Sequence, residues 1–381
     1  MKLLLFTYEF PPQIGGIGKY CYELAKGIHK AGYEIIVLTS RCSTDNSIRL
    51  KSPFKILEIP ILGINKLDIA IGCLYLIYFL LTCRPNHILV THGTSVQIFS
   101  ILVVLFYFTN KFSVILYGSD IIRETQAKYK KWLFYKLCKS CKNIFVISNF
   151  TKKLLMEKID IPAEKVKILY AGINVDFFSA PPDREKISLL KKRLSISDQK
   201  VILTLARLDP RKGQDVVITS LPTVIRRIPN VKYVIAGSGY DEPRLRNLVK
   251  KYHLENYVVF AGQIGDEDVA SFYDMCDIFV MLSRAEKDTV EGFGISFLEA
   301  AARSKPVIGG NHGGVPEVVI DGETGLLVNP CNVAEVANAI TKLLSDDGLA
   351  EKLGKKGRER VFNYFTSETM AKNLLEALKL T

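Results

Sequence analysis

The sequence predicts an α/β protein of two Rossmann-like parallel-sheet domains facing a cleft, divided near residue 180. Three observations carry this. At 381 residues with 48% hydrophobic content, the chain can bury a substantial core and exceeds one typical domain. Residues 2–40 read as strand, loop, helix and strand, the repeating unit of a parallel sheet. The same order restarts at VILTLARLDPRKGQDVVI, from Val201, after the linker Pro181-Pro182-Asp183.

The formal net charge is +12 and is unevenly placed. Residues 1–180 hold 23 Lys and Arg against 12 Asp and Glu, whereas the remainder holds 28 against 27. The first domain therefore favours an anionic partner: a phospholipid headgroup, a lipid-linked phosphate or nucleic acid. No nucleic-acid motif accompanies the charge, so nucleic acid is not expected. The eight cysteines fall mostly in apolar runs, and the one close pair, Cys138 and Cys141, lacks the second pair a zinc site needs. Reduced, buried thiols follow. The opening MKLLLFTYEFPP reads as a buried strand running into a turn rather than a signal peptide, because its apolar run is short and Glu9 with two prolines follows. The expected location is cytoplasmic, with peripheral contact on the inner face of the plasma membrane.

Residues 2–8 form the first strand. EFPPQIGGIG leads into a helix over Lys19 to Lys30, whose Leu24, Ala25 and Ile28 make an apolar stripe ended by Gly32, and the strand EIIVLTS follows. Gly16-x-Gly18 lacks a third glycine, the loop is long for a dinucleotide turn, and Ser40-Arg41 stand where an NAD-binding acid would; all three weaken a nicotinamide reading. A plain glycine turn and a phosphate loop stay open. Ile69 to Leu81 and Ile98 to Phe108 are strongly apolar but shorter than the roughly 18–20 residues of a membrane span. They read as buried helices, or as an interfacial face carrying Tyr75, Tyr78, Phe79, Phe106, Tyr107 and Phe108.

HILVTHGTSVQIF is a strand ending at Thr91-His92-Gly93. A histidine at the C-terminal tip of a parallel strand points to where such sheets bind ligands, although alone it reads first as structural. SVILYGSD is another strand and tip, ending at Asp120. KYKKWLFYKLCKSCK, Lys128 to Lys142, reads as a basic helix with Trp132, Leu133 and Leu137 on one side. It is either drawn to an anionic bilayer or simply solvated. A strand over Asn143 to Ser148 and the segment Lys167 to Phe178 close the domain.

In the second domain, Arg207 and Lys212 stand on the first strand-to-helix loop. Two fixed cations there stabilise charge developing on a leaving diphosphate more than they stabilise the ground state; by spacing alone they are two solvated loop charges. YVIAGSGY is the next strand, with a glycine-rich end at Gly237 and Gly239, and VVFAGQIGDEDVASFYDMCDIFVML supplies two strands around a helix. Asp266-Glu267-Asp268 forms a D-x-D, but acids at a helix N-terminus are ordinary capping, so no metal is expected.

The remainder is organised around Glu291 to Ala302. Glu291 and Glu299 are separated by seven residues, with the turn Gly292-Phe293-Gly294 between them and a helical pattern beginning near Gly294. The unpaired N–H groups at that helix start suit a phosphate, and the glycines admit another molecule to the backbone. Glu291 at the mouth and Glu299 more than a turn inside suit an elongated phosphorylated ligand with hydroxyls at both ends. A nucleotide sugar has that shape. Taken alone, such a pair reads as a loop charge and a surface-helix charge, since Glu is abundant in helices.

VEGFGISFLEAAARSKPVIGGNHGGVPEVVIDGETGLLVNP resembles the C-terminal signature of the family 4 retaining glycosyltransferases, enzymes of the two-domain GT-B fold. FPPQIGG, KILYAGINVDFF and the RLxxxKG of Arg207 to Gly213 match further family segments in order. The resemblance covers nearly the whole chain and is strongest from Val201 to Pro330. It implies an acceptor-binding domain over 1–180, a nucleotide-sugar domain over 181–362, and a last helix, about 363–381, that crosses back onto the first. It implies that Glu291 holds hydroxyls of the transferred sugar, Glu299 the ribose, and Arg207 and Lys212 the departing diphosphate. Gly15, Gly16, Gly237, Gln263, Ile264, Gly292, Phe293, Gly294 and Ile295 would line the donor, with the base near Gly262 to Ile264, while Asn311 to Glu317 packs around it. His92 and Asp120 would orient sugar and acceptor.

Tyr117 stands where the family usually has a histidine, which puts proton handling at that position in doubt. Metal-dependent D-x-D motifs belong to a different glycosyltransferase fold, so the resemblance implies no cofactor beyond the nucleotide-sugar co-substrate. SRAEKDTVEGFG and FPPQIGGIGKY resemble the phosphatidylinositol mannosyltransferase branch. The implied reaction moves a hexose, mannose from GDP-mannose, onto a hydroxyl of a lipid-linked or polysaccharide acceptor. A UDP-glucose or UDP-N-acetylglucosamine donor on the same scaffold is the alternative. A non-catalytic nucleotide-sugar-binding partner of a membrane synthase is the reading from another class, and the intact set of Arg207, Lys212, Glu291 and Glu299 argues against it.

Overall fold

A computed structural model describes residues 1–13, 15–41, 52–61, 65–91, 93–106 and 111–379. His92, Tyr107 and Phe108, singled out above, lie outside the described residues. The chain divides into two compact units, Met1–Gly172 with Thr366–Thr381, and Ile173–Phe365. The short helix Val175–Ser179 thus belongs to the second unit.

In the first unit the described strands are β1 Lys2–Phe6, β2 Glu34–Ser40, β3 Lys55–Ile59, β4 His87–Thr91, β5 Phe112–Leu116, β6 Ile144–Val146 and β7 Val166–Ile168. They form one parallel sheet in the order β3-β2-β1-β4-β5-β6-β7. Near-continuous apolar runs such as LLLF, IIVL and ILV are what strands covered on both faces require. The order reverses between β1 and β4. Because parallel crossovers are right-handed, the helix joining β1 to β2 and the helix joining β4 to β5 cover opposite faces.

The first of these helices spans Gly16–Lys30, starting three residues earlier than its apolar stripe indicated, and Leu24, Ala25 and Ile28 are fully buried. The C-terminal helix Ser367–Ala377 packs on it. Gly27 permits that approach, since a Cβ there would lie 2.4 Å from the Ser367 carbonyl oxygen. Glu23, buried beside it, accepts from the Ser367 hydroxyl at 2.5 Å.

On the opposite face lie the helices Asn65–Cys83, Gly93–Phe106 and Lys128–Ser140. Gly93–Phe106 buries Val96, Ile98, Phe99, Leu102 and Val103, as an apolar run predicts. Asn65–Cys83 instead leaves one apolar face in solvent. The basic helix also differs from expectation: its buried side is Phe134, Leu137 and Cys138, and Trp132 faces outward among the lysines.

The second unit holds β8 Lys200–Leu205, β9 Val231–Ala236, β10 Val258–Gly262, β11 Ile278–Met281, β12 Val307–Gly310 and β13 Leu326–Val328. These strands are parallel in the order β10-β9-β8-β11-β12-β13. Ile202, Leu221, Tyr233, Ile278 and Ile340 are among the residues of its core. The order reverses between β8 and β11, and the crevice outside the carboxyl ends of such a strand pair is where open α/β sheets bind ligands. Asp266–Asp268 form a 3-10 turn leading into the helix Val269–Met275; the Asp268 side chain makes no capping bond to that helix and pairs with Lys186 at 2.8 Å. Among the described residues no helix is long and apolar enough to cross a membrane.

Candidate active site

The site in the second unit grows from the tips of β8 and β11. After β8 the chain makes a tight turn over Pro210–Lys212, opened by the Asp209 carboxylate accepting from the Arg211 N–H at 2.9 Å. The turn lies against the β11 tip: the N–H of Leu282 donates to the Lys212 carbonyl at 3.1 Å and that of Arg284 to the Arg211 carbonyl at 2.9 Å. Gly213 makes this contact possible. Its φ is +74°, and a Cβ would fall 2.4 Å from the Leu282 carbonyl oxygen. Arg284 then grips Asp215 with both terminal nitrogens, at 3.1 and 2.9 Å. Burial works against the Asp215 charge, but Arg284 and Arg244 outweigh it and hold its carboxyl below the usual range.

Glu291 is carried to this point by its own loop. Gly314 donates its N–H to the Glu291 carbonyl at 3.0 Å, and a Cβ at Gly313 would lie 2.2 Å from the same oxygen. The Asn311–Glu317 turn therefore packs directly under the Glu291 backbone. The side chain is buried, and its Oε2 accepts from Arg211 Nη1 at 2.7 Å, Lys212 Nζ at 2.5 Å and Ser283 Oγ at 3.1 Å. Among the described residues Oε1 accepts no hydrogen bond. Burial alone would raise the Glu291 pKa; Lys212 and Arg211 reverse this and bring it down to about 2. The result is an ionised carboxylate with one oxygen held and the other open.

Gly294, at φ +98°, caps the helix Ile295–Ala302. Phe293 is buried with its ring against Phe365 at 5.6 Å, so what this segment offers a ligand is backbone. Glu299 lies in the second turn, buried, and its Oε2 accepts from the Tyr273 hydroxyl at 2.9 Å. Gly237 donates its N–H to the Gly262 carbonyl at 2.7 Å, joining the tips of β9 and β10. Gln263 is exposed just beyond and Ile264 half-buried. Arg207 is exposed at the β8 tip, and its carbonyl accepts from Gln214 Nε2 at 3.1 Å. Lys212 and Glu291 are thus brought into direct contact, whereas the Arg207 side chain makes no hydrogen bond or ion pair among the described residues. Arg211, Ser283 and Arg284 were missed by sequence reasoning; the proximity of Arg211 to Lys212 was the only signal available.

In the first unit the candidates part company. The Asp120 carboxylate is turned into its own loop, accepting from the backbone N–H groups of Tyr117, Gly118 and Ile121 at 2.8–3.0 Å. That geometry shapes the tip. Tyr117 is buried, with its hydroxyl 2.5 Å from Thr91 Oγ1 and 3.5 Å from Cys21 Sγ. Burial, then the neighbouring Cys21, pushes its pKa well above the ordinary value, so it stays a neutral phenol. Gly15 precedes the Gly16–Lys30 helix, and Glu9 stands over that helix start: a Cβ on Gly15 would meet Glu9 Oε1, which also accepts from the Gly18 N–H at 3.4 Å. Among the described residues no three His, Cys, Asp or Glu side chains gather as a metal site.

Residues 185–360 match the family described as Glycosyl transferases group 1, and residues 14–177 match Glycosyltransferase Family 4. The chain belongs to glycosyltransferase family 4. This family member is 35% identical over 235 residues to the GDP-mannose-dependent alpha-(1-6)-phosphatidylinositol monomannoside mannosyltransferase of Mycobacterium tuberculosis, covering 61% of this chain and 60% of the relative. It is 36% identical over 214 residues to the GDP-mannose-dependent monoacylated alpha-(1-6)-phosphatidylinositol monomannoside mannosyltransferase of Corynebacterium glutamicum, 55% of each. The chain therefore spans little more than half the length of these relatives. Among solved structures, HepE of Anabaena in complex with UDP and glucose superimposes with a TM-score of 0.83 at 20% identity, covering 100% of both chains. The family member has the GT-B fold expected above.

Proposed function

We propose that this family 4 member transfers mannose from GDP-mannose, with retention at the anomeric carbon, to a hydroxyl of a lipid-linked or glycan acceptor. The observation that carries the reading is the Glu291 carboxylate, fixed through Oε2 by Arg211, Lys212 and Ser283 while Oε1 stays open. An ionised acceptor so held is suited to a sugar hydroxyl. The adjoining cations and the N–H groups at the start of Ile295–Ala302 are suited to the diphosphate of the same molecule. Dependence on GDP-mannose in relatives at 35% and 36% identity supports the donor.

In this reading the acceptor oxygen bonds to the anomeric carbon on the face from which the phosphate departs. The acceptor's proton passes to the departing phosphate oxygen, leaving the mannoside and GDP. No separate base is required. Arg207 and Lys212 meet the charge on the diphosphate, so the reaction proceeds without a metal. Glu299 takes the ribose, and the tips at Gly237, Gln263 and Ile264 take the base. His92 orients sugar and acceptor, whereas Asp120 contributes by holding its loop.

A UDP-sugar donor is the second reading, favoured by the UDP and glucose bound to HepE, whose likeness is one of fold. Thermal unfolding with GDP, UDP and ADP at equal excess, with and without a chelator, separates the two. A ligand at a hundred times its dissociation constant adds about 2.7 kcal/mol of stability. Stabilisation by GDP alone, indifferent to chelator, is expected. Stabilisation by UDP alone transfers the reading to the second donor, and no response to any nucleotide overturns both.

A further inference from the structure

On the first unit, the outer face of the helix Asn65–Cys83 is the wrong chemistry for water. A surface helix ordinarily turns polar side chains outward, yet between Asp68 and Arg84 this one carries no charged residue. Its inner stripe is accounted for: Leu76 is buried, and Gly72 lies so close to the neighbouring helix that a Cβ would sit 2.5 Å from Ile98 Cδ1. The outer stripe is Leu67, Leu74, Tyr78 and Leu81, with Tyr75 beside it. Leu74, Tyr78 and Leu81 are 68%, 59% and 69% exposed. The adjoining helix adds exposed Leu105 and Phe106 at its end.

A second observation states what such a surface meets. The basic helix Lys128–Ser140 packs on the other side of Gly93–Phe106, so all three helices share one face of the sheet. Residues 125–156 contain eight lysines and no acid. Trp132, 51% exposed, and Tyr129 stand outward among Lys128, Lys131, Lys136 and Lys139, with the Lys136 ammonium 5.7 Å from the Trp132 ring centre. Exposed aliphatic side chains flanked by Trp, Tyr and clustered lysines form the composition that settles at a headgroup boundary.

We propose that this face docks the protein on an anionic lipid bilayer, the Leu74–Tyr78–Leu81 stripe entering the headgroup and acyl boundary and the lysines of Lys128–Ser140 meeting lipid phosphates. The Asn65–Cys83 helix lies along the surface, since its inner stripe is packed on the rest of the unit. The inference is independent of the donor, and it deepens the acceptor side by putting the protein where a lipid-linked hydroxyl is presented.

The test is co-sedimentation of the purified full chain with vesicles of phosphatidylcholine alone, or with about 30% phosphatidylglycerol, at ~0.1 M salt and again at ~0.5 M. Sedimentation with the anionic vesicles, weakened by salt, is expected. The paired variant Leu74→Ser with Tyr78→Ser should bind at least tenfold more weakly, and Lys131→Ala or Lys136→Ala roughly fivefold more weakly. All should keep the parent melting temperature, because these side chains are exposed. No sedimentation with anionic vesicles, or sedimentation that survives the paired variant, overturns the proposal. So does a dimer in solution that the paired variant splits, which assigns the face to a second copy of the chain. Stabilisation by GDP, read on the same samples, reports separately on the donor site.

Discussion

Glu291 has one oxygen shared among two cations and a hydroxyl, so its protonation is a stability event. Its folded pKa of about 2 lies below the ordinary value of about 4.3 for an unfolded Glu. Across that window the unfolded chain binds more protons, and stability falls as the pH drops from about 4.3 toward 2, by roughly 3 kcal/mol. Denaturant unfolding at stepped pH should show this component in the parent and lose it in Glu291→Gln; an equal acid slope in both contradicts it. At neutral pH the variant leaves Arg211 and Lys212 buried without their counter-charge, a loss of about 3 kcal/mol. That is why the isosteric change is preferable to alanine. His87 supplies a second, separate window. Burial first, and Lys142 after it, brings its ring down to about 4, against about 6.5 unfolded. The unfolded chain again binds the extra proton, so stability falls as the pH drops from about 6.5 to 4. Replacing His87 by Gln should remove that component and leave the Glu291 window intact. Lys212 and Glu291 were legible as chemistry in the sequence, but their mutual contact was not, because it depends on two loop tips 79 residues apart. At Asp120 the local bonds were likewise not legible: a carboxylate that satisfies three backbone N–H groups has the same sequence signature as one that waits for a ligand.

At the scale of elements, the turn after β8 positions Lys212 only because Gly213 lets the chain approach Leu282. Gly213→Ala places a Cβ in a left-handed conformation against a carbonyl, which costs more than about 1 kcal/mol. Because the turn must then withdraw from the β11 tip, activity should fall by more than the stability loss explains. A melting temperature and a turnover rate measured on one preparation check this, and a variant of parent activity contradicts the assigned role of the turn. The strands were legible because burial on both faces leaves unbroken apolar runs, and the Gly294 helix start because only glycine takes its φ without strain. The apolar run over 69–81 was read as two alternatives, since composition alone does not tell which neighbours cover a helix. The outward position of Trp132 was hidden for the same reason: Phe134, Leu137 and Cys138 make an equally good inner stripe.

For the whole molecule, both sheets reverse strand order once, between β1 and β4 and between β8 and β11. In the second unit, the Lys212–Ser283–Glu291 cluster stands at the carboxyl ends of the reversing pair, where backbone ends and loop glycines leave room for a ligand. The fold and the family were legible because several spaced motifs occur in order along the chain. Donor and acceptor were not, because they depend on a few contacts at loop tips. The central claim, transfer of mannose from GDP-mannose, is tested most directly by incubating the purified protein with radiolabelled GDP-mannose or UDP-glucose and a lipid extract, with chelator present. Label from GDP-mannose should enter the lipid fraction in an α-mannosidase-sensitive form, and Glu291→Gln should reduce its rate at least a hundredfold. Label entering only from UDP-glucose, or a rate unchanged in Glu291→Gln, would contradict the account.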